Sequence, residues 1–119
     1  MARPRKMRTV CSIPENRSFG PNNELRQPEK TISMTVDEYE TIRLIDLECM
    51  TQEECALQMH VARTTAQSIY REARKKIAEA LVNHQWLVIS GGDVVICDGK
   101  GRQCNQRGCL RPQTNQGLD

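Results

Sequence analysis

The sequence predicts a mainly α-helical domain with an extended basic N-terminal arm and a small C-terminal β-hairpin. Three observations lead there. Two capping boxes open sixteen residues apart, an apolar stripe repeats at helical spacing between residues 63 and 83, and the period changes after Asn83. The chain has 119 residues, one domain's worth, and only 3% of them are aromatic. Its core must therefore rest on Leu, Ile, Val, Met and Ala.

Residues 1–33 divide into a basic arm over 1–10 and an irregular linker, which carries Pro14, Gly20, Pro21 and Pro28 among several Asn and Ser. Order begins at Met34. In Thr35-Val-Asp-Glu38 the threonine hydroxyl can accept from the third helical N–H while Glu38 reaches back, and Met34 and Tyr39 sit at the staple positions. A first helix should run over 36–47. Thr51-Gln-Glu-Glu54 repeats the signature and starts a short second helix over 52–59. His60-Val-Ala62 leaves room only for a tight turn. A long third helix should follow over 63–83, with Ala66, Ile69, Ala73, Ile77 and Ala80 on one stripe. Thr64, Ser68, Arg71 and Lys75 fall on the opposite face, with Gln67 and Arg74 beside them. The helical domain thus spans 34–83. Two apolar runs, Trp86–Ser90 and Val94–Cys97, flank Gly91-Gly92-Asp93 and read as a hairpin over 84–97. Residues 98–119 form a Gly-, Arg-, Gln- and Asn-rich tail, expected to be flexible and containing two cysteines.

A short helix, a tight turn and a second helix with a polar leading face are the parts of a helix-turn-helix, here over 51–81. Ala56 is small where the two helices approach, and Val61 can plug the turn. Thr64, Thr65, Gln67, Ser68 and Arg71 would face base edges. Arg74, Lys75 and Lys76 would serve phosphates, and Arg63 is a further candidate for DNA contact. An ordinary helical hairpin with a basic solvent face is the alternative. The segment Thr51-Gln-Glu-Glu-Cys-Ala-Leu-Gln-Met-His-Val-Ala-Arg-Thr-Thr-Ala-Gln-Ser-Ile69 resembles the helix-turn-helix of sigma-factor region 4. The wider chain resembles the prokaryotic UPF0251 (DUF134) family of predicted DNA-binding proteins. The landmarks are Arg3-Pro-Arg-Lys6, Phe19-Gly-Pro21, the run from Thr35 to Glu48, Ala73-Arg-Lys-Lys-Ile-Ala78 and Ile89-Ser-Gly-Gly92. The resemblance implies DNA binding, and names no regulated gene or effector. Two positions depart from such motifs. His60 stands where glycine is usual, and Ala62 where serine usually caps the second helix, a loss of about 1 kcal/mol.

Charge is unevenly spread. Residues 1–10 carry four cations and no anion, residues 31–60 a net −6, and residues 61–83 a net +3. Such polarity steers a polyanion, although a solvated charged helix would give the same count. Arg3, Arg5 and Lys6, kept extended by Pro4, are candidates for a narrow A·T minor groove. One helix reads only a few base pairs, so a homodimer or higher homo-oligomer on double-stranded DNA is expected.

Cys49 and Cys55 read as small core residues. Cys97, Cys104 and Cys109, spaced C-x6-C-x4-C, can gather zinc or an iron–sulfur cluster, with Cys11 as a fourth ligand. Loose reduced thiols are the alternative, since no C-x-x-C pair is present. The sequence carries no phosphate-binding glycine loop and no nucleophile arrangement around His60 or His84, so an enzyme is not expected. The acids of the first helix read as a solvated surface. No apolar run is long enough for a membrane span and none follows the N-terminal cations, so the protein is expected in the cytoplasm. The competing function is a non-enzymatic protein-interaction or metal-handling accessory role, with the helical domain as a docking surface.

Overall fold

The computed structural model describes residues 7–21 and 31–97. Half of these residues are helical, and the elements are β1 (Arg8–Val10), β2 (Ser18–Phe19), β3 (Thr31–Met34), α1 (Val36–Thr41) with a π-helical continuation (Ile42–Leu47), α2 (Gln52–Met59), α3 (Arg63–Asn83), β4 (Trp86–Ile89) and β5 (Val94–Ile96).

The helices begin where the local chemistry dictates. Thr35 accepts from the Glu38 N–H while Glu38 accepts from the Thr35 N–H at 3.0 Å. Thr51 and Glu54 do the same at α2. The π segment closes with the Glu48 N–H on the Arg43 carbonyl and the Met50 N–H on the Leu44 carbonyl. Cys49, just beyond it, is left-handed at φ 63°. The α3 stripe turns inward as its spacing predicts: Ala66, Ile69 and Ala73 are buried, and Ile77 and Ala80 half-buried.

The strands depart from expectation. β4 and β5 do not form a hairpin. β4 pairs antiparallel with β2 and parallel with β3, and β5 pairs parallel with β1. The physical reason is that a strand has two edges, and both edges of β4 are already taken. Instead of reversing the chain, the glycine turn docks on its surroundings. The Gly91 carbonyl accepts from the Val36 N–H and the Asp93 carbonyl from the Arg8 N–H. Gly92, at φ 103°, lies where a Cβ would stand 2.8 Å from Asp37 Oδ1. The stretch expected to be an irregular linker thus contains β2 and most of β3. The expected arm ends in β1, whose Val10 is buried.

Two apolar clusters result. One joins Val10, Met34, Val36, Ala73, Leu87 and Ile89 between the strands, α1 and α3. The other gathers Leu44, Met50, Cys55 and Met59, with Val61 of the turn packed against it.

The acids of α1 are a second departure, because they are internal. Glu40 is 0% exposed and Arg43 5%, and the guanidinium gives Glu40 two hydrogen bonds of 3.0 Å. The Cys11 N–H donates to the same carboxylate at 3.1 Å. Asp37 faces Arg8 at 3.8 Å, and Glu38 receives Lys76 Nζ at 2.7 Å. Carboxylates are buried only where cations and N–H groups meet them. In Arg43 burial opposes the charge, but the hydrogen bond and charge of Glu40 outweigh it and hold the guanidinium pKa above its ordinary value.

Candidate nucleic-acid interface

The sequence motif with most chemistry is the α2–turn–α3 unit. α2 ends at His60, which is left-handed at φ 57°, and its N–H reaches back to Ala56 and Leu57. The Val61 N–H donates to the Ala56 carbonyl at 3.0 Å, and Ala62 starts α3. Ala56 is buried between the helices, as its size allows. Ala62 contributes no side-chain cap.

The structure brings the predicted α3 residues onto one open face. Arg63, Thr64, Ser68, Arg71, Arg74 and Lys75 are exposed, while Thr65 and Gln67 are half-buried at its edge. Their neighbours on the helix, Ala66, Ile69 and Ala73, are the buried ones, so one α3 side holds the fold and the other is free for contact. Arg74 lies over the Tyr70 ring at 5.4 Å and within 3.7 Å of Asp46, to which the Tyr70 hydroxyl donates at 2.7 Å. Burial and the Asp46 hydrogen bond raise the Tyr70 pKa. An exposed pair of this kind is worth about 0–1 kcal/mol, so a phosphate can compete for Arg74.

Two cations expected to be available are engaged in the fold. Lys76 is bound to Glu38, and Arg8 lies between Asp37 and Asp93, at 3.8 and 3.7 Å. Arg3, Arg5 and Lys6 lie outside the described residues, as do Cys104 and Cys109. The root of the arm is described. Thr9 Oγ1 lies 2.8 Å from His60 Nδ1, so β1 is tied to the turn that opens α3. No periodicity joins positions 51 residues apart, and sequence reasoning missed this bond.

The cysteines separate by environment. Cys55 is fully buried beside Met59, and Cys49 is exposed, contrary to its expected core role. Cys11 is buried, and its Sγ accepts from Gln58 Nε2 at 3.5 Å. The Cys97 N–H donates to the Val10 carbonyl at 2.7 Å. Val10 pairs with Ile96, so Cys11 and Cys97 follow on neighbouring chain segments. Among the described residues no three metal-ligating side chains converge.

At the other end of α3 an apolar groove of about 380 Å³ opens between Phe19, Gly20 and Pro21 on one wall and Ile77, Ala80 and Leu81 on the other. Among the described residues no helix is long and apolar enough to cross a membrane.

These features define a small, mainly helical protein with short mixed sheets and one long helix that presents a polar, basic face. The chain belongs to the UPF0251 family. The family model described as "Protein of unknown function DUF134" matches residues 1–97. A UPF0251 protein of Desulfitobacterium hafniense (strain Y51) is 56% identical over 117 residues, covering 98% of this chain and 93% of the relative. One from Halothermothrix orenii is 47% identical over 93 residues, covering 78% of this chain and 69% of the relative. A UPF0251 protein of Chlorobaculum tepidum is 42% identical over 96 residues, covering 81% of this chain and 49% of the relative. No solved structure matches the chain.

Proposed function

We propose that this protein binds double-stranded DNA sequence-specifically and acts as a transcriptional regulator. In this reading α2, the turn and α3 form a helix-turn-helix similar to that of sigma-factor region 4, and α3 enters the major groove. One observation carries it: α3 buries Ala66, Ile69 and Ala73 and leaves Arg63, Thr64, Ser68, Arg71 and Lys75 in a row on its open side. Those side chains supply base-edge donors and acceptors toward the N-terminus and phosphate partners further along. The uncapped start of α3 adds N–H groups and the positive end of a 21-residue helix. We assign no catalytic residue. A homodimer on a two-fold site would supply the specificity that one helix lacks.

The test is recovery of fragmented host genomic DNA by the purified protein at about 0.15 M salt, followed by sequencing. A few discrete sites with a shared, two-fold motif support the proposal. Arg71→Ala and Gln67→Ala should each then lose about 5- to 150-fold in affinity for that motif, the range of a base contact. Folded protein that recovers nothing above background overturns it.

A second reading, metal handling, has one observation in its favour: β1 and β5 bring Cys11 and Cys97 into neighbouring positions. Cys104 and Cys109 would complete a four-thiolate site for zinc or an iron–sulfur cluster. Protein isolated anaerobically without stoichiometric metal removes this reading.

A further inference from the structure

The ladder between β1 and β5 continues one residue past its last pair. Val10 stands opposite Ile96, and the Cys97 N–H donates to the Val10 carbonyl at 2.7 Å. In parallel strands that bond carries the register on, so the next positions to face each other are Cys11 and Cys97. Side chains alternate across a sheet, which puts both cysteines on the face of Thr9 and away from that of buried Val10. Two contacts from the end of α2 mark that face. Thr9 Oγ1 meets His60 Nδ1 at 2.8 Å, and Cys11 Sγ accepts from Gln58 Nε2 at 3.5 Å.

This is a register in which two sulfurs can join. Paired strands run about 4.8 Å apart, and a disulfide needs Cα atoms roughly 4.4–6.8 Å apart. The backbone already satisfies that need. The Cys11 N–H is held by Glu40 at 3.1 Å, so the main chain stays in place while the side chain turns. The two thiols differ in access, Cys97 being half-buried and Cys11 buried. A reagent in solution meets Cys97 first.

We propose that Cys11 and Cys97 form a disulfide site, closed and opened by exchange with a low-molecular-weight disulfide RSSR and its thiol. The Cys97 thiolate attacks one sulfur of RSSR, the S–S bond breaks, and one RS⁻ leaves. The Cys11 thiolate then attacks the Cys97 sulfur of the mixed disulfide and expels the second RS⁻. The two protons of the cysteines pass to the two leaving thiolates, and the two electrons they give up reduce RSSR to two RSH. The bridge ties the first strand to the last and encloses residues 12–96, a loop long enough to take much entropy from the unfolded chain. It is a reversible clamp. Closing it also withdraws Cys11 and Cys97 from any thiolate metal site, and the inference stands whether or not the protein binds DNA.

The experiment exposes the full chain, treated with EDTA, to glutathione disulfide, blocks the remaining thiols with iodoacetamide and digests with trypsin. The expected product joins peptide 9–17 to peptide 77–100 and is undone by dithiothreitol. The oxidised protein melts at least about 10 °C above the reduced one. The full-length variant Cys49→Ser, Cys104→Ser, Cys109→Ser forms the same bridge. Adding Cys11→Ala, which keeps the N–H on Glu40, stops the exchange at a glutathione adduct on Cys97 and abolishes the gain. Adding Cys97→Ser instead leaves Cys11 unmodified. Wild-type protein that bridges Cys97 to Cys104 or Cys109, or that returns Cys11 wholly as the alkylated thiol, overturns the inference. So does a Cys11–Cys97 bridge that lowers the midpoint, because the strands would then have had to move to make it.

Discussion

At Gly20 the backbone lies flat against the Trp86 indole, so close that a Cβ would stand 2.2 Å from Cδ2. The ring is half-buried at the first residue of β4, so an added methyl group must push it or the Gly20 backbone aside. Gly20→Ala should therefore lose about 1–3 kcal/mol, the usual result of overfilling a packed site, read as a lower urea midpoint at unchanged slope. Cys55 makes a different prediction. Burial, aided by the charge of Glu40, pushes its thiol up to about 12 from an ordinary 9.0. The folded state thus favours the protonated thiol. Its contribution is fully present below about pH 9 and is lost as the pH rises toward about 12. Cys55→Ala should flatten the alkaline fall of the denaturation midpoint, and a fall as steep as that of the wild type would refute the assignment. In the native protein a thiol reagent should label exposed Cys49 long before Cys55.

The helices were legible in the sequence because their causes are local. A threonine, a glutamate three residues on and an apolar stripe all act within a few turns, and α2 and α3 start and stop where those signals stand. Strand partners were not legible, because pairing is settled far along the chain. Val94–Ile96 could have folded back on Trp86–Ile89, but β2 and β3 had filled both edges. The inward acids of α1 escaped detection for a related reason. A run of charge reads as surface unless the partners are known, and Arg8 and Lys76 come from two other elements. Arg43 was available, three residues after Glu40, though nothing local said that the pair was buried. Of the interface, the exposed face of α3 was readable and the Thr9–His60 bond was not. The Glu40–Arg43 pair gives the prediction at this scale. Arg43→Met should cost about 3–5 kcal/mol in chemical denaturation, because a fully buried carboxylate loses its cation. Replacing both, as Glu40→Leu with Arg43→Met, should cost less than the sum of the single changes.

Over the whole molecule, the sheltered acids change the field that a polyanion would meet. Asp37, Glu38 and Glu40 are turned inward, so the middle of the chain shows less negative charge than its sequence suggests. The α3 face keeps Arg63, Arg71, Arg74 and Lys75 exposed. Arg8 has a structural place between Asp37 and Asp93, so a test of the arm must leave it in place. Removing residues 2–6 alone deletes Arg3, Arg5 and Lys6. The slope of log affinity against log salt should then become shallower by roughly 2 to 3, at about 0.9 per phosphate contact. An unchanged slope would mean that these three cations do not touch DNA.

The parallel pairing of β1 with β5 also orders events in time. The strand that roots the arm is made among the first ten residues, and its partner ends at Ile96. A ribosome must therefore release almost all of the described chain before β1 can settle, and pairing across so many residues is slow to close. The helices, whose signals are local, can form earlier. A nascent chain that stops short of β5 would present α3 without β1 in place. Closure of β1 onto β5 then marks the point at which every residue from Arg8 to Ile96 has been joined.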